Sequence, residues 1–382
     1  MILIIGLMSV DFIGPSLPYI QTDLHASQTW IKNSVLLYML VLGIGQLFYG
    51  YASDQYGRKS VVLVGLGVSL IGLVMGVFAE NITLFYLSRI LTAIGCAACP
   101  VIARAMITDI SKDSVQLKKS FSIFSLTSQL SPGIAPVLGG LIQSLSSWHV
   151  SLGVLVLMNL TVFFILYRWM PETHHEIKPN NLGKNNFLNI LKIYSDLFRH
   201  RYFFIMSLLS ALIYVYTIGF YNMLPFVLHT HGVPPWLNGV INSAYAFSLM
   251  LGALALQKSL YRIDSKKLFS TLVYSYVIYG GLFLLIFMMG FKSIVIVLIW
   301  GCGMGFLCGI IAPLTLSLCM HGFSKNKGAA SAVQSSIKMF FTGIGLVLFS
   351  LIHLDSLNQM AVIFGGVTVL ILGFWLWIKK AV

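Results

Sequence analysis

The chain has 382 residues, of which 58% are hydrophobic and only 9% charged, against roughly 25% charged in ordinary soluble domains. That composition excludes a water-soluble globular protein. The formal charge of +13 raises nucleic acid as a partner, but the positions of the bases exclude that reading and report on topology instead. No G-x-x-x-x-G-K-[ST] phosphate loop occurs, which argues against nucleotide hydrolysis by this chain.

Apolar runs of about 20 residues, long enough to cross a ~30 Å hydrocarbon core as helices, recur from end to end. Twelve are placed at 1–20, 33–52, 60–79, 82–105, 120–141, 148–168, 203–223, 237–256, 270–289, 293–320, 328–350 and 358–378. A β-barrel would instead alternate apolar and polar residues over segments of about ten. The first run lacks a basic n-region and a small-residue cleavage site, so it reads as a retained span. The expected fold is therefore all-α and membrane-embedded. The polar segment 169–202, with Pro171 and Pro179, divides the runs six and six. It reads as a linker between an N-terminal bundle, 1–168, and a C-terminal bundle, 203–382, with an amphipathic piece, FLNILKIYSDLF, suited to the membrane surface. Two six-helix halves are the arithmetic of an internally duplicated transporter.

With the N-terminus in the cytoplasm, nineteen of the 24 Lys and Arg residues fall in six cytoplasmic segments, from Arg58 and Lys59 to Lys379 and Lys380. Lys32 and Lys292 are left for the opposite face, and Arg89, Arg104 and Lys338 lie in or at the ends of spans. This asymmetry is the positive-inside pattern, with both termini cytoplasmic.

In chain order, the first span carries Asp11, Pro15 and Pro18 as D-x-x-x-P-x-x-P. Between spans two and three, GYASDQYGRK gives Gly50, Asp54, Gly57, Arg58 and Lys59. Gly50 suits close helix approach, Gly57 a tight turn, and Asp54 pairing with bases across the two halves. The positive-inside rule explains Arg58 and Lys59 but neither the acid nor the glycines. Span four carries Arg89 and a CxxC, Cys96 and Cys99, without further ligands at metal spacing, so the cysteines read as small packing residues. Span five reads SPGIAPVLGG, in which Pro132, Gly133, Pro136, Gly139 and Gly140 bend a helix and cut a groove for a partner. Spans seven and eight supply Tyr214, Tyr216, Tyr221, Asn222, Asn242 and Tyr245, either cavity wall or interfacial belt; Tyr214 and Asn242 are expected to face a cavity. The glycines of span ten, 301, 303, 305 and 309, read as a packing surface.

The loop at 50–59 resembles the signature loop of the major facilitator superfamily. SPGIAPVLGG is similar to the antiporter motif of its proton-coupled exporters, with Ala135 where many members have Gly. The Asp/Pro pattern of span one, LSRILTAIGCA and PET at 171–173 together resemble the bicyclomycin and chloramphenicol resistance branch, the Bcr/CflA drug:proton antiporters. The resemblance implies twelve helices in two pseudo-symmetric bundles, a central substrate cavity, export of a small molecule against protons across the bacterial inner membrane, and a monomer with no cofactor beyond the proton gradient.

Three ionisable residues lie deep in spans: Asp11, Arg89 and Lys338. A charge at mid-bilayer costs at least about 2.5–3.5 kcal/mol and calls for compensation. Asp11 is the expected proton carrier, unless it only pairs with polar groups near the outer end of span one. Arg89 stays charged, so it either ties span four to the proline-broken backbone of span one, tunes Asp11, or contacts substrate. Lys338 is either an anchor for an anionic substrate or a Lys held by backbone carbonyls, Gln334, Ser335 and Ser336. Two other readings compete: proton symport of an organic acid, and a membrane enzyme acting on lipid-linked substrates. The second lacks a cluster of catalytic His, Asp or Glu at one membrane face.

Overall fold

The computed structural model describes residues 2–111, 114–173, 199–259, 265–291, 293–320, 327–350 and 356–381. Most of the linker, including FLNILKIYSDLF, lies outside the described residues, as do Lys292 and several bases counted toward the topology. Among the described residues the chain is helical, without strands.

Among the described residues, fourteen α-helices build twelve crossings. The first crossing is α1, Ile2–Asp11, followed by a 3-10 turn at Gly14–Ser16 and α2, Leu17–Asp23. Then come α3, Gln28–Tyr56, and α4, Arg58–Val77. The fourth crossing is split into α5, Ile82–Cys96, and α6, Ala98–Ile110. The first half closes with α7, Ser114–Leu145, and α8, Trp148–Trp169. The second half runs α9, Arg201–Thr230; α10, Pro235–Ser259; α11, Ser265–Met288; α12, Ile294–Met320; α13, Lys327–Ser350; and α14, Leu357–Ala381. Ten crossings contain long, strongly apolar spans; α7 and α13 contribute shorter ones, Leu130–Leu145 and Val333–Phe349.

All twelve expected runs are helical, and most helices extend beyond them by several residues at one or both ends. The sequence locates the hydrocarbon-facing part, while the ladder of backbone hydrogen bonds continues into the headgroup region, where polar side chains are tolerated. The breaks follow the prolines. Pro15 removes an N–H and crowds the preceding turn, so the α-helix stops at Asp11. Pro100 does the same to the fourth crossing, which turns at Ala97. Cys96 and Cys99 are buried free thiols at that bend; Gly6 of α1 lies so close to Cys99 that a Cβ there would sit 2.6 Å from the cysteine's own.

Two seams join the halves, α3 against α13 and α7 against α10. The second is built from backbone. A Cβ on Gly140 would lie 2.5 Å from the Pro235 carbonyl, and one on Gly239 would lie 2.3 Å from that of Pro136. Gly139 faces the broken first crossing, where a Cβ would come within 1.9 Å of the Phe12 carbonyl oxygen. The small residues of span five are thus the material of the seam, in keeping with the groove the sequence suggested. The glycines of α12 also pack as expected: Gly305 and Gly309 meet the Tyr245 and Leu249 carbonyls of α10.

A replacement series tests this packing. Gly139→Ala forces Phe12 and the first crossing to move and lowers the melting temperature of the detergent-purified protein. Gly153→Ala, on α8 with open space around it, is neutral or stabilises by up to about 1 kcal/mol through the better helix propensity of Ala. Equal melting temperatures for the two variants would contradict the seam.

Candidate functional site

The loop between α3 and α4 forms a charged knot. Gly57 has φ +85°, a conformation that side chains other than glycine's resist. Arg58, the first residue of α4, donates from Nη1 to Asp54 Oδ1 at 2.5 Å and to Ser53 Oγ at 2.6 Å. Its Nε donates to Asp109 Oδ2, at the end of α6, at 2.9 Å. Glu172, of the PET triplet, accepts from the Arg58 and Lys59 backbone amides at 2.9 and 3.0 Å and so caps α4. In this arrangement Asp54 pairs with Arg58 four residues on, within its own half, and it forms no ion pair across the halves among the described residues. A Cβ on Gly50 would lie an ordinary 3.7 Å from its nearest neighbour, Val101, so no steric need for glycine arises there.

Two cavities lie along the interface of the halves. The larger, about 350 Å³, extends from Asp11 toward the end of the bundle that carries both termini. Its walls include Leu3 and Leu7 of α1, Gln46 of α3, Arg104 of α6, Pro132 of α7, Tyr214 and Tyr221 of α9, and Lys338 of α13. The opposite end is sealed between the halves. Tyr19 meets His229 edge to face at 5.1 Å, Lys32 Nζ lies 5.5 Å from the Phe226 ring centroid, and the Trp236 amide donates to Ser144 Oγ at 3.1 Å.

The smaller cavity, about 20 Å³, has room for one water. Asp11, Arg89, Tyr221, Asn222 and Asn242 line it. The Tyr221 hydroxyl and the side-chain carbonyls of Asn222 and Asn242 are buried without a hydrogen-bond partner. Asp11 belongs to both cavities, and no cation lies within 4.0 Å of its carboxyl among the described residues.

Arg89 is buried. Its Nη1 donates to the Ser9 carbonyl at 3.1 Å, and its guanidinium lies 4.3 Å from the Tyr38 ring centroid. Of the three readings of Arg89, the tie to the broken first crossing is the one present here; it and Asp11 share a cavity wall without forming an ion pair.

Lys338 sits midway along α13, with Nζ 4.5 Å from the centroid of the Tyr214 ring. Of the groups expected to hold it, Gln334 donates to Ser210 Oγ at 3.0 Å and Ser335 accepts from Arg104 Nη1 at 3.1 Å, while the Ser336 hydroxyl is buried without a hydrogen-bond partner. Tyr214 faces the large cavity as expected, whereas Asn242 faces the small one. Tyr216 is core, packed 4.5 Å from Phe364 by ring centroids, and Tyr245 stacks on Phe220 at 4.8 Å.

Arg104 is the residue that sequence reasoning passed over. With span four ending at 105 it counted as a boundary base; α6 continues to Ile110, so Arg104 lies inside the bundle. The acid at 109 was the available signal, since a helix that delivers Asp109 to Arg58 must run on past Arg104.

Comparison with known proteins agrees with this architecture. Multidrug resistance protein D of Escherichia coli K12 is 28% identical over 169 residues, which are 44% of this chain and 43% of that protein. The bicyclomycin resistance protein homolog of Haemophilus influenzae is 31% identical over 180 residues, 45% of each chain. The matches therefore span less than half the length of either relative. A solved D-xylose-proton symporter superposes with a TM-score of 0.75 over 98% of this chain and 96% of that one, at 14% identity. The family model described as Major Facilitator Superfamily matches residues 1–349, and the chain belongs to that superfamily of multi-pass membrane transporters rather than to any class of enzymes.

Proposed function

We propose that this transporter exports a small molecule in exchange for protons, its two six-helix halves rocking about the central cavity. The observation that carries the reading is the place of Asp11, at the junction of both cavities, with no cation fixed to it among the described residues. A carboxylate locked in an ion pair holds its charge; one facing water and a neighbouring half can take up and release a proton as its hydration changes. Arg89 acts on it as a positioning residue, by holding the backbone two residues before Asp11. Lys338 and Tyr214 form substrate-facing wall in the large cavity, and Asn242 serves the small one.

The assignment of direction rests on the span-five seam and on drug-resistance relatives. The setting is a bacterial inner membrane with both termini cytoplasmic, which makes the present arrangement the inward-facing one. The knot at 50–59 then lies at the cytoplasmic gate. One chain supplies the whole cavity, so a monomer suffices, and the proton gradient is the only energy source invoked. Each proton moving inward across 100 mV releases about 2.3 kcal/mol.

Proton symport is a second reading, favoured by one observation. Arg104 and Lys338 set two cations against one acid in the large cavity. An anionic substrate there is held better with Asp11 protonated than ionised, which is the linkage of a symporter.

Proteoliposomes containing a pH-sensitive dye separate these readings. With a panel of neutral and cationic antimicrobials and carboxylate metabolites, at least one compound is expected to move protons opposite to itself, and Asp11→Asn to abolish the movement. Protons travelling with the compound would replace antiport by symport. Substrate flux unaffected by Asp11→Asn would remove Asp11 from either mechanism.

Arg89 gives a separate expectation. Arg89→Leu leaves the Ser9 carbonyl without its donor at bilayer depth, costing on the order of 1–3 kcal/mol. Thermal melting should fall accordingly, with partial recovery in Arg89→Lys. Unchanged melting of the Leu variant would mean that the tie to α1 carries no stability.

A further inference from the structure

We propose that the large cavity takes an organic monocarboxylate with an apolar body, its charge held between Arg104 of α6 and Lys338 of α13. The inference rests on that cavity being the substrate compartment. Arg104 Nη1 reaches Ser335 Oγ at 3.1 Å, and Ser335 lies three residues before Lys338, which places both on the same face of α13. The two cations therefore line the same stretch of cavity wall, about one helical turn apart along α13, contributed by opposite halves of the protein.

Neither is neutralised by protein. Among the described residues, no carboxylate lies within 4.0 Å of either one. Asp11 is the single acid lining the cavity. The compensation each cation does receive is partial. Lys338 has the Tyr214 ring face, an interaction of modest strength for an ammonium group. Arg104 spends Nε on the Pro100 carbonyl at 3.0 Å and Nη1 on Ser335, leaving Nη2 without a bond to protein among the described residues. A guanidinium and an ammonium lining one cavity about a helical turn apart are suited to a charge-assisted receptor for a carboxylate.

The charge balance selects a monoanion. With Asp11 ionised the cavity lining sums to +1, which one carboxylate brings to zero. A doubly charged phosphate would leave a net negative charge in a low-dielectric enclosure. The rest of the wall selects the body: Leu3, Leu7, Met39, Leu42, Ile213 and Leu316 offer apolar surface in a cavity of about 350 Å³, the size range of small-molecule sites.

Binding to the purified full-length protein in neutral detergent tests this without any gradient, so its outcome is independent of whether transport is coupled to protons. The probes share one body: 2-naphthoate, 2-naphthamide and 2-naphthylmethylammonium, titrated calorimetrically. Naphthoate is expected to bind at least about tenfold more tightly than the amide, and the ammonium more weakly than either. Lys338→Met and Arg104→Met each erase most of that preference while leaving amide binding in place. Lys338→Arg and Arg104→Lys keep it, which guards against misfolding as the explanation. Equal affinity for naphthoate and the amide, no naphthoate binding at millimolar concentration, or a preference that survives both Met variants overturns the proposal. Adding phosphatidylglycerol to the micelles distinguishes a soluble carboxylate from a lipid anion. Unchanged naphthoate affinity supports the proposal; competitive displacement assigns the site to lipid and overturns it.

Discussion

A backbone carbonyl inside a bilayer has no water to turn to, and this constraint organises the centre of the molecule. The first crossing breaks at Pro15, so the last turn of α1 ends in the membrane interior with carbonyls that its own helix does not satisfy. Arg89 supplies the donor to Ser9, while the Tyr38 ring face lies against its guanidinium. A residue that is costly to bury is thereby offset by a defect that is costly to leave open. The same pairing holds the backbone two residues before Asp11. The helix break, the buried guanidinium and the cavity-facing carboxyl are one arrangement rather than three motifs.

The seams extend this logic. Without a hydrophobic driving force between helices in lipid, halves adhere through close backbone approach and a few polar contacts. Gly139, Gly140 and Gly239 provide such approach between α7, α10 and the broken crossing. The contacts at Tyr19 and His229 and at Trp236 and Ser144 seal the same end of the bundle. The other end holds the large cavity and, further out, a knot in which Arg58 satisfies Asp54 and Asp109 together. That knot is internal to the first half.

The crossings were legible in the sequence because hydrocarbon thickness sets their length and water excludes them from any other setting. The turn at Gly57 and the packing role of the span-five glycines were legible because so few residues allow a positive φ or a bare backbone contact. Partners of polar groups were not. Asp54 could be assigned a base but not which one, since a loop acid with Arg58 four residues on and a second half facing it has two chemically equal choices. Asn242 was read toward the central cavity with Tyr214, whereas it lines the one-water cavity beside Asp11. Arg104 was missed because hydropathy marks where a helix leaves the hydrocarbon, not where it ends, and the last turn of α6 is polar on the side that meets Arg58.

The cavity's cations also bear on how such a protein moves. Arg104 belongs to the first half and Lys338 to the second, so like charges face each other across the interface of the halves. In an empty cavity of this composition these charges repel, across the hydrogen bond from Arg104 to Ser335. A bound carboxylate removes the repulsion and replaces it with attraction to both halves. Protonation of Asp11 acts in the opposite sense on an empty cavity, because it deletes the one negative charge of the lining. Under the proposed coupling to protons, ligand and proton would meet in a single electrostatic balance at this lining.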